Sequence, residues 1–546
     1  MANHREIPLM FQAQIKGRGQ IQYIAEPQKA YRWVDEWGEG VGTVPTFGAN
    51  IIAKEYKITW RFISNSGQDD DIIRPVIAAG GFPYYPGASM KGAFLRSCTN
   101  VQAIRYCGGI SDKSDAKKTD GGDRTTQPGI LRFHGGYPKD ATWKDKELVD
   151  VVHPQADWQL KDNNSHSAFI QISLHEPILV FGISSTIELD NSEWDTIWSL
   201  WEKALERGIG SRVSAGYGQP VKHPETKLLT VGLSGQGLAS QLINKTGEFR
   251  PNMFKAALRG HCLRLFAGVT DENSAEALTR ELWGGFAGKD GAVVGLLGIA
   301  FNAIELDMDV YRYRGNSMPI YELNNGSLHI LCMRPITDEY KAELRSLAMK
   351  LVQFSLLLGG FGKSWRRSDH RIFFPDYLKN NQKPMIGCHW EFSRGAEKLY
   401  IPTNKLENVT KFLVSLNEKI NQWVIANQKI PTSDISKWRE AWHPKKVQVW
   451  GRIAEDEDGS LAMSWFHGAY QEGQSIKGSN LTGKIGQIGR IWHRMYPRYN
   501  RLKDGTMRRM EDEYIELITI FPDSSNTTKE FIEFLGKSDF TLIYPN

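Results

Sequence analysis

At 546 residues the chain is too long for one ordinary core, and its 41% apolar and 11% aromatic content leaves room for three domain-sized units. A formal net charge of +5 permits nucleic-acid binding without requiring it, so the local placement of charge has to decide. Five widely spaced cysteines without a CxxC pair, no apolar run of membrane-span length and no signal-peptide pattern in MANHREIPLMFQ exclude a disulfide framework, structural zinc and a membrane partner, and predict a soluble, cytoplasmic protein.

In chain order, residues 8–24 alternate apolar and polar side chains about a glycine turn and predict a hairpin tipped by Lys16 and Arg18. The stretch to about Asn50, rich in Gly, Trp and acids, reads as an irregular extension with Asp35 and Glu36 as surface charges. A strand over 56–64 then leads into a loop, 65–79, that holds Asp69, Asp70 and Asp71 in a row. Such a triplet is usually a solvated face, although carboxylates beside a phosphate can hold a divalent metal. Next comes GGFPYYPGASMKGAFLRS: a Pro/Gly turn, Ser89 placed to cap, and a helix carrying Lys91 and Arg96. Free N–H groups at a helix start attract anions, and these two cations add charge where a polynucleotide backbone would lie.

Residues 111–129 are too polar and glycine-bearing to build a core. His134 and His153 fall on short strands and read as packed or solvated side chains. A helix over 192–210 presents Trp194, Ile197, Trp198 and Trp201 on one face, a core stripe. It ends in GIGSRVSAGYG. There Gly208, Gly210, Gly216 and Gly218 let backbone approach phosphates, Arg212 supplies charge and Tyr217 a stacking face.

The pattern then recurs. FRPNMFKAALRGHCLRLF sets Lys255 and Arg259 at a helix head, and a long helix, Asp338 to Leu358, precedes GGFGKSWRRSDH with Gly360, Gly362, Lys363, Arg366 and Arg367 beside Trp365. The loop 233–247 of this second copy contains no acidic residue. Beyond 395 lies a helical, tryptophan-rich segment. It is followed by a basic run over 484–509, which fits an RNA backbone or an acidic neighbour, and by a closing strand and helix.

PYYPGASMKGAFLR paired with GIGSRVSAGYG resembles the CRISPR-associated RAMP superfamily, the ferredoxin-like subunits that line a guide RNA in type III effector complexes. FKAALRG, LWGGFAG and GGFGKSWRR resemble it more loosely, with Ala256, Ser368 and Asp369 departing from the glycine pattern. The resemblance implies an α+β chain of two tandem ferredoxin-like modules, over 51–222 and 223–395. An N-terminal extension over 1–50 and a C-terminal region over 396–546 flank them. It also implies CRISPR guide RNA, complementary target RNA and other effector subunits as partners, and a projecting loop over 111–129 that folds over the guide. An aspartate of the 69–71 loop would sit at the scissile phosphate of the target. Asp69 and Asp71 would hold a divalent metal, magnesium, and the neighbouring 2′-OH would be the nucleophile of an endoribonuclease. A purely architectural subunit is the alternative. A histidine-based processing nuclease finds no paired histidines to support it, and a metabolic phosphate-binding enzyme finds no GxxxxGK[ST].

Overall fold

The structure is a computed structural model that describes residues 27–64, 67–69, 72–110, 126–152, 160, 168–286, 291–374, 376, 383–432, 436–484 and 487–545. It is a mixed α+β chain that forms two compact units, one from Met1–Pro154 with His166–Lys227, the other from Gln155–Ser165 with Leu228–Asn546.

The first unit opens with helix α1 (Pro27–Glu39), where the sequence reads as irregular. Ala30, Trp33 and Trp37 repeat at i, i+3 and i+7 and are almost fully buried, while Arg32 and Glu36 pair at 3.0 Å on the outer face. The Trp37 indole donates to the Gly81 carbonyl at 2.7 Å, which ties α1 to the turn ahead of the next helix. Strand β1 (Ile52–Lys57), helix α2 (Gly87–Leu95), strand β2 (Leu131–Pro138), strands β3 (Val149–Val152) and β4 (Phe169–Ile172), strand β5 (Ile178–Ser185) and helix α3 (Asn191–Leu205) follow. β1, β5 and β2 pair antiparallel in that order, and an antiparallel bridge between Ile58 and Pro220 follows directly on β1. The predicted stripe of α3 is buried at Ile197, Trp198 and Trp201.

The second unit contains two four-stranded sheets. The first is built from β6 (Lys227–Leu238), helices α4 (Asn252–Ala267) and α5 (Glu272–Trp283), the long hairpin β7 (Leu297–Tyr313) and β8 (Asn316–Cys332), helix α6 (Asp338–Leu358) and β9 (Cys388–Phe392). Its strand order is β7-β8-β6-β9. Helix α7 (Glu407–Ala426) connects to the second sheet, formed by β10 (Gln448–Ala454), helix α8 (Leu461–His467), β11 (Ile491–Arg501), β12 (Met507–Ile520), helix α9 (Asn526–Leu535) and β13 (Thr541–Tyr544) in the order β11-β12-β10-β13. Both sheets therefore run second, third, first, fourth, with helix between first and second strands and between third and fourth. One continuous apolar core passes through α4, α6, α7 and β11.

Two features of the C-terminal part go beyond the sequence reading. The region beyond 395 repeats the strand order of the preceding sheet. The basic run, moreover, is half interior: across β11 Arg494 is 1% exposed and Arg498 6%. Arg494 donates to the Leu356 carbonyl at 3.0 Å, and Arg498 to the Thr403 carbonyl at 3.1 Å. A buried guanidinium needs such acceptors, and with them charge no longer implies a solvated face. Around the tip of the β11–β12 hairpin Arg501, Lys503, Arg508 and Arg509 are exposed.

Candidate nucleic-acid interface

The second glycine–basic loop forms one wall of a cleft of about 870 Å³ inside the second unit. Its walls come from the start of α4, the loop over 359–370, the end of α8 and the segment leading into β11. The loop is fixed from below. The Trp390 indole donates to the Phe361 carbonyl at 3.0 Å, and Gly360 lies so close to Trp390 that a Cβ would come within 2.8 Å of the ring. Beneath the cleft Trp365 and Trp492 meet edge to face at 4.9 Å, and His261 packs against both. Neither ring nitrogen of His261 has a partner, and burial holds this imidazole well below its ordinary pKa, so it is neutral filler.

The cations of the cleft fall into two sets. Arg264 and Arg366 are bound to Glu440, which is fully buried: Arg366 contacts both carboxylate oxygens at 2.5 and 2.9 Å, and Arg264 adds bonds at 2.9 and 2.7 Å. Burial would raise the Glu440 carboxyl, but Arg366 and Arg264 hold it down to about 2. Arg366 is thus an internal tie rather than an exposed RNA contact. Lys363, Arg367 and Lys477 form the second set. Among the described residues none of these three meets a carboxylate. Arg367 donates to the main-chain carbonyls of Ile491 and Thr482 and lies 4.9 Å from the centre of the Phe466 ring; burial, with Arg366 beside it, lowers it to about 10. Carbonyls hold the guanidinium in place and leave its charge uncompensated. Arg250 also lines the cleft, and among the described lining residues Glu248 is the one acid, so the surface is net positive.

The structure also brings together two histidines that the sequence does not single out. His370, at the end of the loop, and His467, at the end of α8, line the cleft with their Nε2 atoms 3.1 Å apart. The expectation that no histidines pair in a plausible site is overturned, because the pairing spans 97 positions and exists only once both sheets are folded.

In the first unit the corresponding turn is closed. Tyr217 is 1% exposed: its ring lies 4.4 Å from that of Trp60 and its hydroxyl donates to Asp150 at 2.9 Å, so no face is left for a base. Arg212 takes a left-handed backbone conformation, stacks 4.6 Å from Phe169 and donates to the Gln171 side chain at 3.1 Å. Gln171 in turn donates to Asp150 at 2.6 Å. Gly210 and Gly218 are required by the fold, since a Cβ would lie 2.2 Å from the Ile63 carbonyl oxygen and 1.9 Å from that of Ile209. Gly208 and Gly216 also have positive φ. The network around buried Asp150 was invisible in the sequence beyond a short Asp-Val strand.

Helix α2 runs nine residues from an N-cap at Pro86, so Ser89 is its third residue and not its cap; the hydroxyl of Tyr84 accepts from the Gly87 N–H at 3.1 Å instead. Lys91 is exposed on α2, whereas Arg96, also exposed, is its C-cap and lies past the first turns. On α4, Lys255 is 8% exposed and Arg259 half-buried. Gly362 has a φ of +89° at the cleft wall. His134 is hydrogen-bonded to Ser184 at 2.8 Å. Asp70, Asp71, the Asp69 side chain, His153, the 8–24 hairpin and most of the 111–129 loop lie outside the described residues. Among the described residues no group of three or more His, Cys, Asp or Glu is placed to hold a metal, all five cysteines are free, and no helix is long and apolar enough to cross a membrane.

No protein-family model and no curated protein matches the chain. Among solved structures it is similar to a chain of a type IV-B CRISPR complex, at 17% identity over 31% of this chain and 88% of that one, with a TM-score of 0.22. It is also similar to a chain of a type III-B Cmr-beta complex bound to cognate target RNA and AMPPnP, at 10% identity over 57% of this chain and 99% of that one, with a TM-score of 0.29.

Proposed function

We propose that this chain is a guide-RNA-binding subunit of a type III CRISPR effector complex, of the RAMP type, built from ferredoxin-like modules. The observation that carries the RNA reading is the cleft of the second unit, where Lys363, Arg367 and Lys477 stand without carboxylate partners around a glycine-bearing loop. Such a surface binds a polyanion by charge and backbone shape and tolerates any sequence, as a guide requires. The CRISPR assignment rests on the resemblance of PYYPGASMKGAFLR and GIGSRVSAGYG. The strand order second, third, first, fourth, present twice in the second unit, supports the ferredoxin-like reading.

Cleavage of target RNA beside Asp69, Asp70 and Asp71, with magnesium, is the catalytic part of this proposal, and the position of those carboxylates in the sequence supports it. The decisive experiment reconstitutes the effector with guide RNA and adds labelled complementary target and magnesium. The Asp69–Asp71→Ala variant is expected to lose one cut site while target binding persists. An unchanged ladder of products makes the chain an architectural subunit.

A further inference from the structure

The cleft ends at an arrangement that general polyanion binding does not account for. His370 is 3% exposed, and its Nδ1 lies 3.2 Å from the Ser368 carbonyl, which only accepts, so the proton of neutral His370 sits on Nδ1. Its Nε2 is then an acceptor, and the 3.1 Å contact requires His467 to donate from Nε2. With these hydrogen bonds, Nδ1 of His467 is the pair's site for a second proton. Because the Nε2 atoms are bonded directly to each other, the pair cannot flank a phosphodiester as separate general acid and base. Its geometry suits binding.

The surroundings set the direction. His467 is exposed, yet partial desolvation, reinforced by Lys383, Lys477 and Arg367, holds it below its ordinary pKa; burial, then His467, Arg367 and His493, brings His370 to about 3. Phe466 lines the cleft and Phe374 packs against His467 at 5.8 Å, neither adding charge. With the cleft empty, the pair is neutral near pH 7. A phosphate drawn in by Arg367 and Lys477 offsets those same cations and adds an anion beside the imidazole, and both changes favour the imidazolium.

Resting on the RNA-binding reading above, we propose that His467, braced by His370 and flanked by Arg367 and Lys477, forms a subsite for one RNA backbone phosphate that takes up a proton as the phosphate binds. Binding is then linked to proton uptake: the free histidine has the lower pKa and the bound one the higher. The proton-linked part of the affinity is gained as pH falls through the window between them and is absent above it. A shift of one pH unit in the histidine corresponds to about a tenfold gain in affinity.

The test is calorimetry of the full chain with a single-stranded RNA of about 20 nucleotides, run in buffers of different ionisation enthalpy at pH about 6 and about 8. Uptake of a fraction of a proton at the lower pH, and affinity several-fold tighter there than at pH about 8, is expected. In His467→Gln, which keeps a donor but cannot take the proton, both the uptake and the pH slope should vanish. A merely structural pair would instead change affinity by the same factor at both pH values, and that result overturns the proposal. So does RNA binding without proton uptake in the unmodified chain, a measurement that needs no variant to fold. Uptake with inorganic phosphate but none with RNA overturns the RNA assignment of the subsite. Absence of any RNA binding sinks the broader reading as well, so the two failures are distinguishable.

Discussion

The two glycine–basic loops are near twins in sequence and opposites in structure. Gly208–Gly218 turns inward: its Arg stacks on Phe169, its Tyr bonds Asp150, and its glycines make room for the carbonyls of Ile63 and Ile209. The loop over 359–370 turns outward at Lys363 and lends Arg367 to a cleft. Glycine spacing thus prescribes a backbone path, and the same path serves a closed turn or an open wall. What separates them is where the cations stand: Arg212 is held over Phe169 and Gln171 near the buried Asp150 carboxylate, whereas Lys363 is exposed and Arg367 lines the cleft, neither meeting a carboxylate among the described residues. An accessible cation that no carboxylate balances, more than glycine content, marks where a polyanion can bind.

Breaking the brace under the open loop should have the largest effect. Glu440→Ala leaves Arg264 and Arg366 buried without their carboxylate, and removing one partner of a buried pair costs about 3–5 kcal/mol. Urea denaturation of the second unit reads this directly. The sign with pH follows from a carboxyl whose folded pKa of about 2 lies below its unfolded value near 4.3. Its contribution is complete above the unfolded value and is lost as pH falls from there towards 2. In Glu440→Ala that part of the acid sensitivity disappears, which a pH series on both proteins would show.

Smaller effects separate the loops themselves. Gly218→Ala forces a Cβ to within 1.9 Å of a main-chain oxygen at a φ of +60°, and should destabilise by more than about 1 kcal/mol. Gly362→Ala also meets a positive φ, but its nearest neighbour is the flexible Met253 sulfur at 2.8 Å, so a milder loss is expected in the same melt.

How much of this was legible follows from the range of the interactions. Helix α6 was readable to its last residue, because a 21-residue apolar periodicity and a Thr337 cap are local signals. Helix α1 carried the same signal at Ala30, Trp33 and Trp37, but Gly38 and Gly40 disguised it as a loop. The interior arginines of β11 were unreadable, since a run of charge looks the same whether water or the Leu356 carbonyl receives it. Ser89 looked like a cap because the Pro/Gly turn was placed correctly, but the helix begins two residues earlier. The Glu440 and His370–His467 clusters join residues 74 to 176 positions apart, and no pattern along the chain encodes them.

The finest distinction is in RNA affinity. Lys363→Ala with Lys477→Ala removes two exposed cations that no carboxylate balances, so the variant should bind single-stranded RNA about tenfold more weakly at moderate salt. The slope of log affinity against log salt should also fall by about 0.7 for each phosphate that is no longer neutralised. Arg212→Ala in the closed turn should move affinity by less than about twofold and leave that slope alone, because its guanidinium already serves Phe169 and Gln171. Filter binding across a salt series measures both variants together. Equal losses from the two loops would mean that the closed turn opens when RNA arrives, and the contrast between the loops would then belong to the free protein alone.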